Sequence, residues 1–232
     1  MNEKLRKSGI DIIEDLPWGT HFCQFYQSKE DLMEILIPYF KAGLEYNELC
    51  ILVTSHSQEV NEAKEALRKT IPDFDVYLEN GQIEIIPYID WYVKESIFIS
   101  ERVLNSWVEK LNEAQKNGYK GVRFSWNTSR LKRGNLGNFA DYEKKVDAIT
   151  GNHHIIALCT YSFDEHDVTE AIDIAANHQF TLVKKEGKWK RIESSGRKNL
   201  AESQRTEEVL PQNEQRIRLK PESLLSPDGE KV

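Results

Sequence analysis

Short apolar runs recur along this chain, separated by longer stretches with helical periodicity, and this alternation constrains the fold more than any other feature. Leu49 to Thr54 (LCILVT) and residues 154–161 (HIIALCTY) are apolar on both faces, as expected of strands covered by helices on both sides. Further strands are expected at 20–26 (THFCQFY), 83–87, 119–126 (YKGVRFSW), 180–184 and 189–192. The last two join at Glu186-Gly187, and a hairpin around Asn80-Gly81 is expected to pair 75–78 with 83–87.

Between the strands lie helical patterns. Ser28 caps a first helix carrying Leu32, Ile35, Leu36, Tyr39 and Phe40, with Pro38 expected to kink or shorten it and Gly43 to end it. Ser57 caps a second helix with Val60, Ala63 and Leu67 inward. A long helix carries Ile99, Val103, Leu104, Trp107, Leu111 and Ala114. Asn138 caps another with Phe139, Tyr142, Val146 and Ile149, and 167–178 forms the last. Strands alternating with helices predict an α/β fold: a three-layer, mainly parallel sheet with helices on both faces and an antiparallel edge. From Lys198 onward aromatics vanish and Glu, Gln, Arg, Ser and Pro dominate, so the domain is placed at 1–196 and a charged linker or tail at 197–232.

Composition removes several classes of function. A net charge of -7 argues against a nucleic-acid binder, and no run approaches the roughly 18 apolar residues of a membrane span. The N-terminus lacks an apolar signal core, and the scattered thiols Cys23, Cys50 and Cys159 fit a reducing compartment, so a cytoplasmic location is expected.

Ligands of parallel α/β sheets sit at the carboxyl ends of the strands. An ATPase would place a glycine-rich phosphate loop after the first strand. Here Gly19 to Lys29 has no second glycine, bulky aromatics stand where phosphate needs close backbone approach, and Ser28-Lys29 inverts the required Lys-Ser order. Strands ending in Trp126 and Tyr161 offer no magnesium-binding aspartate, and Asp164, three residues past the latter, is a weak substitute. Hydrolysis of ATP is therefore not expected, and no triad order or nucleophile elbow supports other hydrolysis.

In place of the phosphate loop stands His21-x-Cys23, whose side chains share one face of a strand. Three readings remain open: direct contact with an organic ligand, a metal or haem site completed by Cys159 or His56, and purely structural roles. Tyr26, Trp126 and Tyr161, near strand carboxyl ends, are expected to line a pocket for a small organic molecule. Arg123, within an apolar strand, is expected to pair with Glu143 or Asp141, or else to face a ligand anion. The loop carrying Arg130, Lys132 and Arg133 reads as solvated rather than as an anion clamp, and His153 and His154 face opposite ways.

Gly19-Thr20-His21-Phe22-Cys23-Gln24-Phe25-Tyr26 and Ala42-Gly43-Leu44-Glu45 resemble the MEDS domain, the methanogen/methylotroph DcmR-type sensory domain. So do Gly118-Tyr119-Lys120-Gly121-Val122-Arg123, Asp141-Tyr142-Glu143, Ala157-Leu158-Cys159-Thr160-Tyr161 and Asn177-His178-Gln179-Phe180, over about residues 10 to 193. The resemblance implies a RecA/KaiC-like fold with eroded nucleotide motifs, and a non-enzymatic sensor of simple hydrocarbon derivatives such as methylated compounds, in a prokaryotic, methanogen-type two-component system. It implies ligand contact by His21 and Cys23. From the residues themselves no cofactor is expected, with haem or a transition metal on His21, Cys23 and Cys159 as the alternative. The partners the resemblance implies are a PAS and histidine-kinase module or a transcriptional regulator, and homodimerisation is expected by analogy. Asn213-Glu214-Gln215-Arg216-Ile217-Arg218 resembles linkers that enter a PAS-like segment. Where many members carry a Gly-acid pair after the arginine strand, this chain has Trp126-Asn127, so no role for that acid carries over.

Overall fold

Runs in which nearly every side chain is buried form the central strands: β1 (His21–Tyr26), β2 (Leu49–Thr54), β4 (Val122–Asn127) and β5 (Ile155–Ser162). With β3 (Ile83–Pro87), β6 (Phe180–Lys185) and β7 (Lys188–Glu193) they build one seven-stranded sheet of order β7-β6-β1-β5-β4-β2-β3. All neighbours are parallel except β6 and β7, whose turn places Glu186 and Gly187 at φ 53° and 73°, the positive pair that a two-residue hairpin requires. In this computed structural model the described residues are 5–94, 97–98, 100–127 and 139–194, within a unit that runs Met1–Ser194. The expected tail at 197–232 and the basic loop of Arg130, Lys132 and Arg133 lie outside the described residues.

Helices cover both faces. One face packs α1 (Lys29–Glu45), α2 (Ser57–Thr70) and α3 (Phe74–Glu79) on Phe22, Leu52, Ile156 and Leu158. The other packs α5 (Ser100–Lys116), α6 (Phe139–Gly151) and α7 (Val168–Asn177) on Cys23, Phe124, Ala157 and Cys159. A one-turn helix, α4 (Tyr88–Tyr92), follows β3. Side chains alternate faces along each strand, so the parity of a residue decides which helices it meets.

Four local expectations meet a different outcome. Residues 75–78 are helical within α3. Phe74, Tyr77 and Leu78 recur at helical spacing against the α1–α2 core, and Asn80 and Gly81 end that helix instead of turning a hairpin. Pro38 lies inside α1, which continues to Glu45. Gly43 is likewise helical and not a cap: a Cβ there would come within 2.7 Å of Cys50 Sγ and 3.0 Å of Arg123 Cδ, so the missing side chain makes room for a buried arginine stem. The cap of α2 is His56 and not Ser57, with Glu59 reaching back to accept from the N–H groups of Ser55 and His56.

The chain leaves β1 through α1 for β2, passing over the positions that β5 and β4 fill. That change of direction opens a crevice above the carboxyl ends of β1, β2, β4 and β5, where such sheets hold ligands.

Candidate functional site

Only Gln27 and Ser28 separate β1 from α1. A turn this short cannot wrap a phosphate, and its polar groups are committed to the chain itself. Ser28 Oγ accepts from the N–H of Asp31 (3.1 Å), and Asp31 Oδ2 accepts from the N–H of Gln27 (3.3 Å). Lys29 Nζ lies 2.5 Å from Glu62 Oε2 on α2. Above this turn is a cleft of about 500 Å³. Its apolar wall is Leu32, Met33, Leu36, Leu52, Val53, Ala63 and Ala66; Tyr26, Thr54, Asn127 and Thr160 supply polar groups. Lys29 stands against Glu30, Glu59 and Glu62 in the lining, which leaves it net negative. Asn127 Nδ2 donates to Tyr26 Oη at 2.7 Å, and burial pushes the Tyr26 phenol up to about 12, so the hydroxyl stays neutral.

On the opposite face, under α6 and α7, lies a polar group with no exposed surface. His21 opens β1, Cys159 lies on β5, Glu143 on α6, and His178 follows α7. The parallel register pairs His21 with Ala157 and Cys23 with Cys159, so His21 and Cys159 lie on the same face of neighbouring strands. His21 Nε2 is 3.1 Å from Cys159 Sγ and 3.5 Å from Glu143 Oε2; His178 Nε2 is 3.5 Å from the same oxygen. Tyr161 Oη donates to Glu143 Oε1 at 3.2 Å. All four side chains are fully buried. Burial pushes the Glu143 carboxyl up to about 8 despite the bonds from Tyr161 and Cys159, and it raises the Cys159 thiol well above its ordinary value.

Arg123 lies on the α1 side, because its register partner is Cys50 and not a residue facing α6. Its Nε donates to Glu48 Oε2 at 2.6 Å, while its other nitrogens reach the carbonyls of Lys7, Ser8 and Tyr39. Arg6 Nε donates to the second Glu48 oxygen at 2.7 Å. The expected partners Glu143 and Asp141 are thereby corrected: they belong to α6, across the sheet. Burial works against the charge on Arg123, but Glu48, helped by Tyr39 and Cys50, more than offsets it and keeps the guanidinium charged.

The pocket expected of Tyr26, Trp126 and Tyr161 is divided by the same parity. Tyr26 lines the cleft, whereas Trp126 and Tyr161 pack in the core beneath α5, α6 and α7. Trp126 stacks on His21 with centroids 6.1 Å apart. Cys23 shares a face with His21, but its Sγ lies 3.3 Å from Thr181 Oγ1. His56 is committed to capping α2. Thus His21, Cys159, Trp126 and Tyr161 come together; Arg123 stands apart, and Tyr26 opens on the other face. Two members of the polar group, Glu143 and His178, had no assigned ligand role from sequence. Their signal lay in the motifs Asp141-Tyr142-Glu143 and Asn177-His178-Gln179, beside strands already suspected of carrying the site.

The fold has clear relatives among solved structures. The KaiC-like protein PH0186 from Pyrococcus horikoshii OT3 superposes with a TM-score of 0.54 at 16% identity, over 80% of this chain and 85% of that one. The flagellar accessory protein FlaH from Methanocaldococcus jannaschii gives 0.51 at 14% identity, over 78% and 79%. At such identities the likeness concerns the RecA/KaiC-like fold alone. Curated protein sequences give no match. The family model for MEDS, the MEthanogen/methylotroph, DcmR Sensory domain, matches residues 20–179, a span that takes in the cleft turn and all four members of the buried group. The chain belongs to the MEDS family of sensory domains.

Proposed function

We propose that this sensory domain is a non-enzymatic receptor for a small neutral or cationic organic molecule, held in the cleft at the carboxyl ends of the strands. A methylated amine or alcohol is the class that fits. The observation that carries this reading is the occupation of the phosphate position by the chain's own groups: Ser28 and Asp31 take the N–H groups that a polyphosphate would need. The three glutamates of the lining oppose a triphosphate and favour a methylated cation, whose methyl groups would rest on Leu32, Met33 and Leu52. Tyr26 adds an aromatic face at the rim.

Ligand would draw α1 and α2 together across the cleft, and the segment at 197–232 would pass that change to a kinase, PAS or regulatory module, as a monomer or a homodimer. Three cysteines, none in a disulfide, support a cytoplasmic setting. Among the described residues no helix is long and apolar enough to cross a membrane.

The test is a thermal-shift series on the 232-residue chain with methylammonium ions, methanol, methylated sulfides and halomethanes, beside equilibrium binding of labelled ATP with and without magnesium. A saturable rise in Tm with a methylated compound is expected, and its loss in Ala66→Phe, which fills the cleft. Micromolar binding of ATP would overturn the reading, as would a methyl-compound shift that Ala66→Phe leaves intact.

A further inference from the structure

We propose that His21, Glu143, Cys159 and His178 form a four-ligand site for a divalent first-row transition ion, with zinc as its best-fitting occupant. This goes beyond the cleft, which lies on the other face of the sheet.

The distances fit such an ion. The four candidate ligand atoms lie within 4.8 Å of one another. A tetrahedral ion with bonds of about 2.0 to 2.3 Å sets its ligand atoms about 3.3 to 3.8 Å apart. The N···S separation here is 3.1 Å, both N···O separations are 3.5 Å and the S···O separation is 3.9 Å. Movements of up to about 1 Å bring all four ligand atoms to tetrahedral separations.

The outer shell fits as well. His178 Nδ1 lies 2.7 Å from the carbonyl oxygen of Ile174, which can only accept, so the proton sits on Nδ1 and the Nε2 lone pair points at the cluster. His21 Nδ1 lies 3.4 Å from Asp147 Oδ1 while its Nε2 faces Cys159 and Glu143. An imidazole whose outer nitrogen leans on a carbonyl or carboxylate is the usual support of a metal-bound histidine. Tyr161 Oη steadies the far oxygen of Glu143.

Charge is the third argument. Two imidazole nitrogens, a carboxylate and a thiol are all lone-pair donors, and they converge where no solvent reaches. On binding, Cys159 and Glu143 each release a proton to solvent and coordinate as thiolate and carboxylate. Two anionic and two neutral ligands then balance a divalent ion, leaving a neutral centre in an apolar core, with no change of oxidation state. The ligand set mixes sulfur, nitrogen and oxygen, which suits zinc and its spectroscopic substitute cobalt rather than magnesium or calcium.

The decisive experiment loads the 232-residue chain with cobalt(II), and separately measures zinc in protein purified without added metal. The expected result is about one equivalent of metal, a near-ultraviolet thiolate-to-cobalt band and visible bands of tetrahedral intensity. The band should vanish in Cys159→Ser and persist in Cys23→Ser and Cys50→Ser. The wild-type spectrum needs no variant, so a misfolded Cys159→Ser does not blunt the test. Folded wild-type protein that takes up neither ion at micromolar concentration would overturn the proposal. So would a cobalt band that survives Cys159→Ser, or one abolished by Cys23→Ser in a protein that stays folded.

Discussion

Two fully buried polar groups lie on opposite faces of one sheet and are built on opposite plans. On the α1 side, Arg123 and Arg6 share Glu48, and the remaining guanidinium donors reach carbonyl oxygens, so donors and acceptors balance within the chain. On the α6 side, His21, Glu143, Cys159 and His178 turn lone-pair donors toward one another. The difference teaches how to tell a structural buried charge from a site. The first group has its guanidinium donors taken up by Glu48 and by backbone carbonyls; the second presents four atoms able to ligate the cation proposed above. The cleft beside Tyr26 is a third case, largely apolar and open, and is where the proposed organic ligand would sit.

The largest expected effect tests the self-sufficient group. Glu48→Ala should destabilise the domain by about 3–5 kcal/mol in denaturant unfolding, because it strands two buried guanidinium groups, and the loss should be the same with or without zinc. A loss that zinc alters would erase the distinction between the two faces. Next, Ala66→Phe should remove the ligand-linked stabilisation of the cleft, about 2.7 kcal/mol at a hundredfold excess of ligand over Kd, while leaving the cobalt spectrum untouched. A changed spectrum would mean that the two sites are coupled through the sheet.

Asp147→Asn should weaken zinc binding about 10- to 100-fold in a competition titration, by loosening the support of His21 without removing a ligand. An unchanged affinity would remove Asp147 from the outer shell. The smallest effect belongs to the rim. The Lys184 ammonium holds the carboxyls of Asp31 and Glu34 below their usual range. Folded values below the unfolded ones mean that this contribution is present above the unfolded carboxylate range, near pH 4, and is lost as pH falls through the folded values. The urea midpoint of Lys184→Met should therefore fall slightly short of wild type at neutral pH and converge with it in acid. A gap that widens in acid would contradict the pairing.

The strands from β1 to β7 were legible because their periods are local: LCILVT and HIIALCTY can bury both faces only inside a parallel sheet. α3 was misread as a strand because Asn80-Gly81 reads as a hairpin turn; contact with α2 and β3 decided for the helix. His21 and Cys159 were singled out correctly as possible neighbours, yet Glu143 was assigned to Arg123 because nothing local says which face an arginine in a strand selects. The joint pocket of Tyr26, Trp126 and Tyr161 failed for the same reason. All three sit near strand ends, but parity sends Tyr26 one way and the other two the opposite way.

The sequence by itself determined the α/β class, the family, and the short turn at Gln27-Ser28 in place of a phosphate loop, because each is carried by residues close together along the chain. Only the tertiary structure decided that β5 lies beside β1, that Glu48 and not Glu143 meets Arg123, and that four ligand-type side chains converge under α6 and α7. Strand order and facing are settled by long-range burial of whole surfaces, and that choice leaves no mark on any single segment.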